Sequence, residues 1–189
     1  MAPATPRSAD RRVQRTRRSL RDALISLLAE RGWDDIGVQD ICERADVGRS
    51  TFYMHFQNKE QLLAAGLSDL RTVLREQAVA AGGLPGQLSF ARGLIDHVSE
   101  QRKIFRAIVG RRSGHVVQKR FREMVLQLVD EDLAPVAAAG WRRDAAAHYL
   151  AGALFELLAW WVDARGARPA DDIEHCFRQL TTPVIARLT

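Results

Sequence analysis

The apolar positions of this chain recur at spacings of three and four residues along nearly its whole length. Residues at these spacings share one face of a helix, whereas a half-buried strand would alternate with a period of two, and no segment does so. Glycine and proline separate the apolar runs, most clearly between Gly82 and Gly86. The pattern therefore predicts an all-α protein.

The first predicted helix runs to about Arg31, and Gly32 is expected to end it in a left-handed conformation. Its apolar stripe consists of Leu20, Leu24, Leu27 and Leu28. Trp33 and Ile36 follow, and we expect them to fold back over that stripe.

Two short helices joined by a tight turn are predicted next. The first, about Val38 to Ala45, has a single apolar face, and Asp46 follows where the chain must reverse, because aspartate tolerates the left-handed conformation. The second, about Gly48 to Phe56, buries two phenylalanines and exposes hydrogen-bond donors, namely Arg49, Ser50, Thr51, Tyr53 and His55. A helix of this width fits the DNA major groove, although a plain helical hairpin with a polar face gives the same pattern.

A long helix is predicted from Asn58 to about Ala80, opened by Asn58 and Gln61 as a variant of the capping box. Five further helices use the apolar positions 91–98, 104–109, 117–133, 145–162 and 173–180. Gly110 is expected to stop the second of these, and Pro183 to kink or restart the last, with Thr182 as a possible cap.

The apolar stretch 145–162 approaches the length of a membrane span. It contains Glu156, and a central acidic residue costs roughly 2.5 to 3.5 kcal/mol in a bilayer on insertion scales. Because no second apolar span exists, we interpret it as a buried helix, with a membrane span as the alternative.

Three literal runs between Gly32 and Leu63, namely GW, VQDICERADV and TFYMHFQNKEQLL, closely resemble the N-terminal domain of the TetR family of transcriptional repressors. The resemblance implies that residues 47–56 form the recognition helix, with Tyr53, His55 and Lys59 near phosphates and Gln39 able to reach a base. The predicted DNA-binding set is therefore Gln39, Arg49, Ser50, Thr51, Tyr53, His55 and Lys59. The chain departs from the family pattern at Gly37, Asp46 and Gly48, where Thr, Gly and Ser are usual.

The resemblance also implies a head of residues 1–57 and a regulatory, ligand-binding and dimerisation body of residues 58–189. The body would form a four-helix seam with a second copy, for which the candidates are Leu150, Leu154, Phe155, Leu158, Trp161, Phe177 and Leu180. The alternative for these residues is a monomeric core. A small-molecule effector would bind in the body, with candidate lining residues His97, Phe105, Phe121, Met124, Trp141, Tyr149 and Trp160, each of which could instead be ordinary core or surface.

The charge of the chain is compatible with a polyanionic partner. Its formal net charge is +5, and seven arginines lie between Met1 and Arg21 against the single acid Asp10. This basic arm could bind phosphates or be a solvated tail. Cys42 and Cys176 share no disulfide or metal spacing, and the N-terminus resembles no signal peptide, which favours the cytoplasm.

No constellation typical of an enzyme is present. The five histidines are scattered, and no HExxH, GxSxG or glycine-rich phosphate loop occurs, so we expect no catalytic residues, no metal and no cofactor. The predicted function is a homodimeric transcriptional repressor that binds a palindromic double-stranded DNA operator and is released by a small molecule. The alternative is an all-α small-molecule-binding or redox-sensing protein without operator-specific DNA binding.

Overall fold

The computed structural model describes residues 6–109, 114–164 and 168–188 of the chain. Within these ranges the protein has nine α-helices and no strand, which confirms the all-α prediction. The helices are α1 (Pro6–Glu30), α2 (Val38–Ala45), α3 (Arg49–His55), α4 (Lys59–Ala80), α5 (Phe90–Glu100), α6 (Arg102–Val109), α7 (Gly114–Leu133), α8 (Trp141–Asp163) and α9 (Ala170–Ile185). The predicted stop at Gly110 lies outside the described residues.

The head is a small core built by α1, α2, α3 and the first turns of α4. Its centre contains the leucine stripe of α1 together with Trp33, Ile36, Ile41 and Phe52, all at most 4% exposed. The expected left-handed stop at Gly32 is wrong, since Gly32 has φ −65° and ψ 156°. The chain instead enters a short 3-10 helix, Trp33–Asp35, in which the Asp35 amide donates to the Gly32 carbonyl over 3.1 Å.

Helix α4 connects the head to the body and packs in both. Leu62 and Leu63 belong to the core of the head, whereas Leu74 belongs to the core of the body. Asn58 caps the helix by accepting from the Gln61 amide over 2.8 Å, and the Gln61 side chain accepts from the Gln57 amide. The division of the chain at Asn58 stays a prediction, because the helix that follows it contributes to both cores.

The body packs α5 to α9 around a second core, with α7 and α8 in the most extensive contact. Arg102 and Arg106 of α6 donate to the carbonyls of Trp161 and Val162 at the end of α8. Cations are favourable at a helix C-terminus, where the last carbonyls have no partner within the helix. Helix α6 is therefore fixed to the end of α8.

Helix α8 is long and apolar enough to cross a membrane by length and composition, and 50% of its most apolar stretch is buried inside the protein. It packs against α5, α6, α7 and α9, as expected of a buried helix.

The last helix does not restart at Pro183, because α9 continues past this residue to Ile185. Thr182 does not cap a new helix: its hydroxyl donates to the Arg178 carbonyl one turn back, over 2.7 Å.

Candidate nucleic-acid interface

Helix α3 presents one face to the core of the head and the other to solvent. Phe52 and Phe56 are 0% and 3% exposed and fix the orientation of the helix. On the opposite side Tyr53 is 51% and Met54 is 74% exposed, and Arg49 and Ser50 are also exposed. The arrangement leaves hydrogen-bond donors on a rigidly held helix, as the sequence predicted.

The turn before α3 has the conformation that the sequence predicted. Asp46 adopts φ 54° and ψ 48°, the left-handed region, and its amide donates to the Glu43 carbonyl. The Val47 amide donates to the Cys42 carbonyl over 3.0 Å. This hydrogen bonding fixes the angle at which α3 leaves α2.

The start of α2 is held by a carboxylate where the family usually has a threonine cap. Asp40 accepts from the Gly37 amide over 2.7 Å and pairs with Arg31 over 2.9 Å. The amide hydrogen bond, followed by Arg31, lowers the pKa of Asp40, so this carboxyl is ionised at neutral pH. Gly37, the N-cap, has no side chain that could accept a hydrogen bond from the first turn of α2. The Asp40 carboxylate, at the third position of the helix, instead accepts from the Gly37 amide.

The predicted DNA-binding residues lie on α2, α3 and the start of α4. Arg49, Ser50 and Tyr53 are exposed, whereas Thr51 and His55 are half-buried. Gln39 is exposed on α2, and its side-chain amide donates to the Glu43 carboxylate over 2.6 Å. The exposed members are accessible to solvent in the single chain.

Lys59 differs from the other members of this set. Its ammonium donates to the carbonyls of Trp33 and Ile36, over 2.7 and 2.8 Å, and lies 4.5 Å from the centre of the Trp33 ring. An ammonium group has three donors, so two of them are already used inside the head. The side chain ties the start of α4 to the turn between α1 and α2.

Two residues that sequence reasoning missed belong to this region. Met54 is 74% exposed on α3, and its position two residues after the buried Phe52 could have indicated that. Arg17 of α1 lies with its guanidinium 5.0 Å from the centre of the Phe56 ring. No sequence spacing predicts this contact, because it joins α1 to the end of α3.

The basic arm is largely helical in the described residues. Helix α1 already begins at Pro6, so Ser8 and Asp10 lie within it. Four arginines of the arm are exposed along this helix, namely Arg11, Arg12, Arg15 and Arg18.

A cavity of about 970 Å³ lies between α1, α4, α5, α6 and α7, at the junction of head and body. Three of the residues predicted to line an effector pocket, His97, Phe105 and Phe121, line this cavity. The other four predicted lining residues do not. Met124 is buried in the core of the body, and three aromatic residues are exposed on α8, namely Trp141, Tyr149 and Trp160.

The predicted dimer seam requires a correction. Six of its seven residues are at most 3% exposed in the single chain, namely Leu150, Leu154, Phe155, Leu158, Trp161 and Phe177. They face α5, α6, α7 and α9 of their own chain, so their side chains cannot meet a second copy without unpacking. Leu180 is the exception, since it is 68% exposed on α9.

The two cysteines lie in different surroundings. Cys42 is buried in the core of the head, and burial raises the pKa of its thiol, which makes it a poor nucleophile at neutral pH. Cys176 is exposed on α9. Among the described residues no group of three His, Cys, Asp or Glu side chains could hold a metal ion.

The fold and this surface define the class of the protein, an all-α chain with an N-terminal helix-turn-helix. Residues 20–65, which include the helix-turn-helix, match the family described as "Bacterial regulatory proteins, tetR family".

Two curated relatives are similar to part of the chain. The uncharacterized HTH-type transcriptional regulator YxbF of Bacillus subtilis is 46% identical over 55 residues, which is 29% of this chain and 14% of YxbF. The HTH-type transcriptional repressor KstR of Mycolicibacterium smegmatis is 31% identical over 97 residues, 47% of this chain and 46% of KstR. The matches therefore span less than half the length of these relatives.

Solved structures resemble the chain over nearly its full length. A TetR transcriptional regulator from Streptococcus agalactiae has a TM-score of 0.67 at 25% identity, covering 94% of this chain and 99% of the other. RolR, solved in complex with resorcinol, has a TM-score of 0.58 at 22% identity, covering 92% of this chain and 89% of its own.

Proposed function

We propose that the chain is a transcriptional regulator that binds double-stranded DNA through α3, most simply as a repressor in the cytoplasm. The observation that carries this proposal is the orientation of α3, whose buried Phe52 and Phe56 direct Arg49, Ser50 and Tyr53 to solvent. Arginine pairs with guanine edges, and tyrosine or serine hydroxyls bond phosphates or bases. The cationic side chains of α1 would add affinity that does not depend on sequence.

The active form in this proposal is a homodimer. Helix-turn-helix proteins commonly bind two half-sites about 34 Å apart as symmetric dimers, so the operator would be palindromic. The surface that supports this is the outer side of α8 and α9, where Tyr149, Trp160 and Leu180 are 62%, 55% and 68% exposed. Between the two aromatic side chains lie the small residues Gly152 and Ala153, which allow a second helix to approach closely.

Regulation by a small molecule is the third part of the proposal. The cavity between α1, α4 and α6 has a volume within the range typical of ligand sites. RolR, which shares the fold, was solved with resorcinol bound. Because α4 packs in both the head and the body, a ligand in this cavity can change the distance between the α3 helices of the two subunits of the dimer.

Selection of bound fragments from a random DNA pool tests the proposal. We expect a palindrome whose half-sites are separated by about one helical turn. The Tyr53→Ala variant, selected in parallel, should recover the same palindrome with a weaker yield if Tyr53 contacts phosphate. Recovery of fragments without a shared sequence would support instead the all-α small-molecule-binding protein without operator specificity.

A further inference from the structure

The cavity at the junction of head and body has walls from both units. Helix α1 of the head contributes Leu24, Ile25 and Leu28 to one wall. Helix α4 contributes Leu67, Leu70 and Val73 to the facing wall, and Phe105 and Phe121 of the body close the inner end. Any molecule that fills the cavity therefore touches the DNA-binding unit directly, without an intervening helix.

Each charged side chain that lines the cavity either has a hydrogen-bond or ion-pair partner in the chain or is exposed to water. Arg21 at the mouth pairs with Asp69, and Glu30 pairs with Arg44 over 2.8 Å. Arg102 donates to the Trp161 carbonyl. The remaining charged side chains of the cavity, Asp22, Glu100 and Lys103, are exposed to water.

At the inner end of the cavity His97 lies beside the buried rings of Phe105 and Phe121, neither of which titrates. Its ring meets Phe105 edge to face, with 5.7 Å between centroids. Burial lowers the pKa of His97, so the imidazole is neutral at neutral pH. A neutral imidazole offers one donor and one acceptor, which suits a hydroxyl or carbonyl group but not an ion.

We propose that this cavity binds an uncharged, mainly apolar small molecule with at most one or two polar groups, and that the molecule bridges α1 of the head to α4 and α6 of the body. A charged ligand group at the inner end of the cavity, beside His97, Phe105 and Phe121, would be buried without a charged partner, which is unfavourable, whereas burial of an apolar surface there is favourable. The polar group of the ligand is directed towards His97. The effect of the ligand on DNA rests on the proposed function, whereas its binding does not.

The first experiment measures binding with two dyes that share one ring system. N-phenyl-1-naphthylamine is uncharged and apolar, and 1-anilinonaphthalene-8-sulfonate carries an added sulfonate. We expect the uncharged dye to bind the full-length chain at one site per chain, at least about tenfold more tightly than the sulfonate. Equal or tighter binding of the sulfonate would overturn the assignment to uncharged ligands.

Matched tryptophan variants locate the site. Ile25→Trp on α1 and Val73→Trp on α4 fill the cavity from opposite walls and should each reduce dye binding at least about tenfold. Val13→Trp and Val79→Trp are the controls, since both residues are on the same two helices, are exposed, and lie outside the cavity. Thermal unfolding checks that all four variants fold. Unchanged binding in both cavity variants, with folding preserved, would overturn the location.

The second experiment measures the coupling to DNA. With a selected DNA fragment, saturation by the uncharged dye should weaken DNA binding, and the fragment should weaken dye binding by the same factor, typically about 5- to 150-fold. Dye bound at the cavity with no change in DNA affinity would overturn the coupling while leaving the site in place. Absence of DNA binding without the dye would contradict the proposed function alone.

Discussion

At the residue scale, Lys59 is the side chain whose predicted and observed surroundings differ most. The family resemblance implies a phosphate contact, yet two carbonyls and the Trp33 ring already surround the ammonium. We predict that Lys59→Gln lowers the free energy of unfolding by about 1 to 3 kcal/mol, because hydrogen bonds to a charged group and a cation–π contact are lost. Urea denaturation measures this.

The matched control is Lys103→Gln, since Lys103 is an exposed lysine of α6, and there we expect a change within about 0.5 kcal/mol. If Lys59→Gln were as stable as the wild type but its DNA affinity had a salt slope lower by about one, the ammonium would be a phosphate contact instead.

His97 gives a prediction on pH at the same scale. Burial lowers the pKa of His97 in the folded chain below its unfolded value of about 6.5. At a pH between these two values, His97 is protonated more often in the unfolded chain than in the folded chain. The contribution of His97 therefore reduces stability as the pH falls below about 6.5. We expect His97→Gln to lose less stability than the wild type between pH 7 and pH 5 in thermal unfolding. An identical loss in both proteins would mean that His97 does not titrate there.

At the element scale, the turn between α2 and α3 holds a strained residue. Asp46 has φ 54°, a conformation that glycine adopts without a steric cost, and glycine is usual there in the family. We predict that Asp46→Gly raises the free energy of unfolding by up to about 1 kcal/mol and that Asp46→Val lowers it. Chemical denaturation of the two variants is the test, and a destabilised Asp46→Gly would mean that the aspartate side chain contributes more than its strain.

The element scale also separates what the sequence could predict from what it could not. The periodicity located the helices, and the literal run around Asp46 located the turn, because both depend on neighbouring residues. Helix α8 is apolar on most of its circumference, so its spacing could not distinguish Leu154, which faces its own core, from Tyr149, which faces solvent. The cavity depends on space left between α1, α4 and α6, which are distant in sequence.

At the scale of the whole molecule, the proposed DNA-binding form is a dimer through the outer side of α8 and α9. We predict that Trp160→Arg combined with Leu180→Arg yields a soluble, folded monomer, because both side chains are exposed in the single chain. Phe155→Arg is the contrasting variant, since Phe155 is 2% exposed and a buried unpaired charge should unfold the chain. Light scattering and thermal unfolding separate the two outcomes, and a folded dimer of Trp160→Arg/Leu180→Arg would require a different seam.

In the proposed function the exposed face of α3 reads DNA. The most direct measurement is the affinity of Arg49→Ala for a selected fragment, compared with Arg120→Ala, an exposed arginine on α7 of the body. If Arg49 contacts a base, its loss costs about 1 to 3 kcal/mol, a weakening of roughly 5- to 150-fold at that operator position, while Arg120→Ala binds as the wild type does. Equal affinities of Arg49→Ala and the wild type for every fragment would contradict the claim.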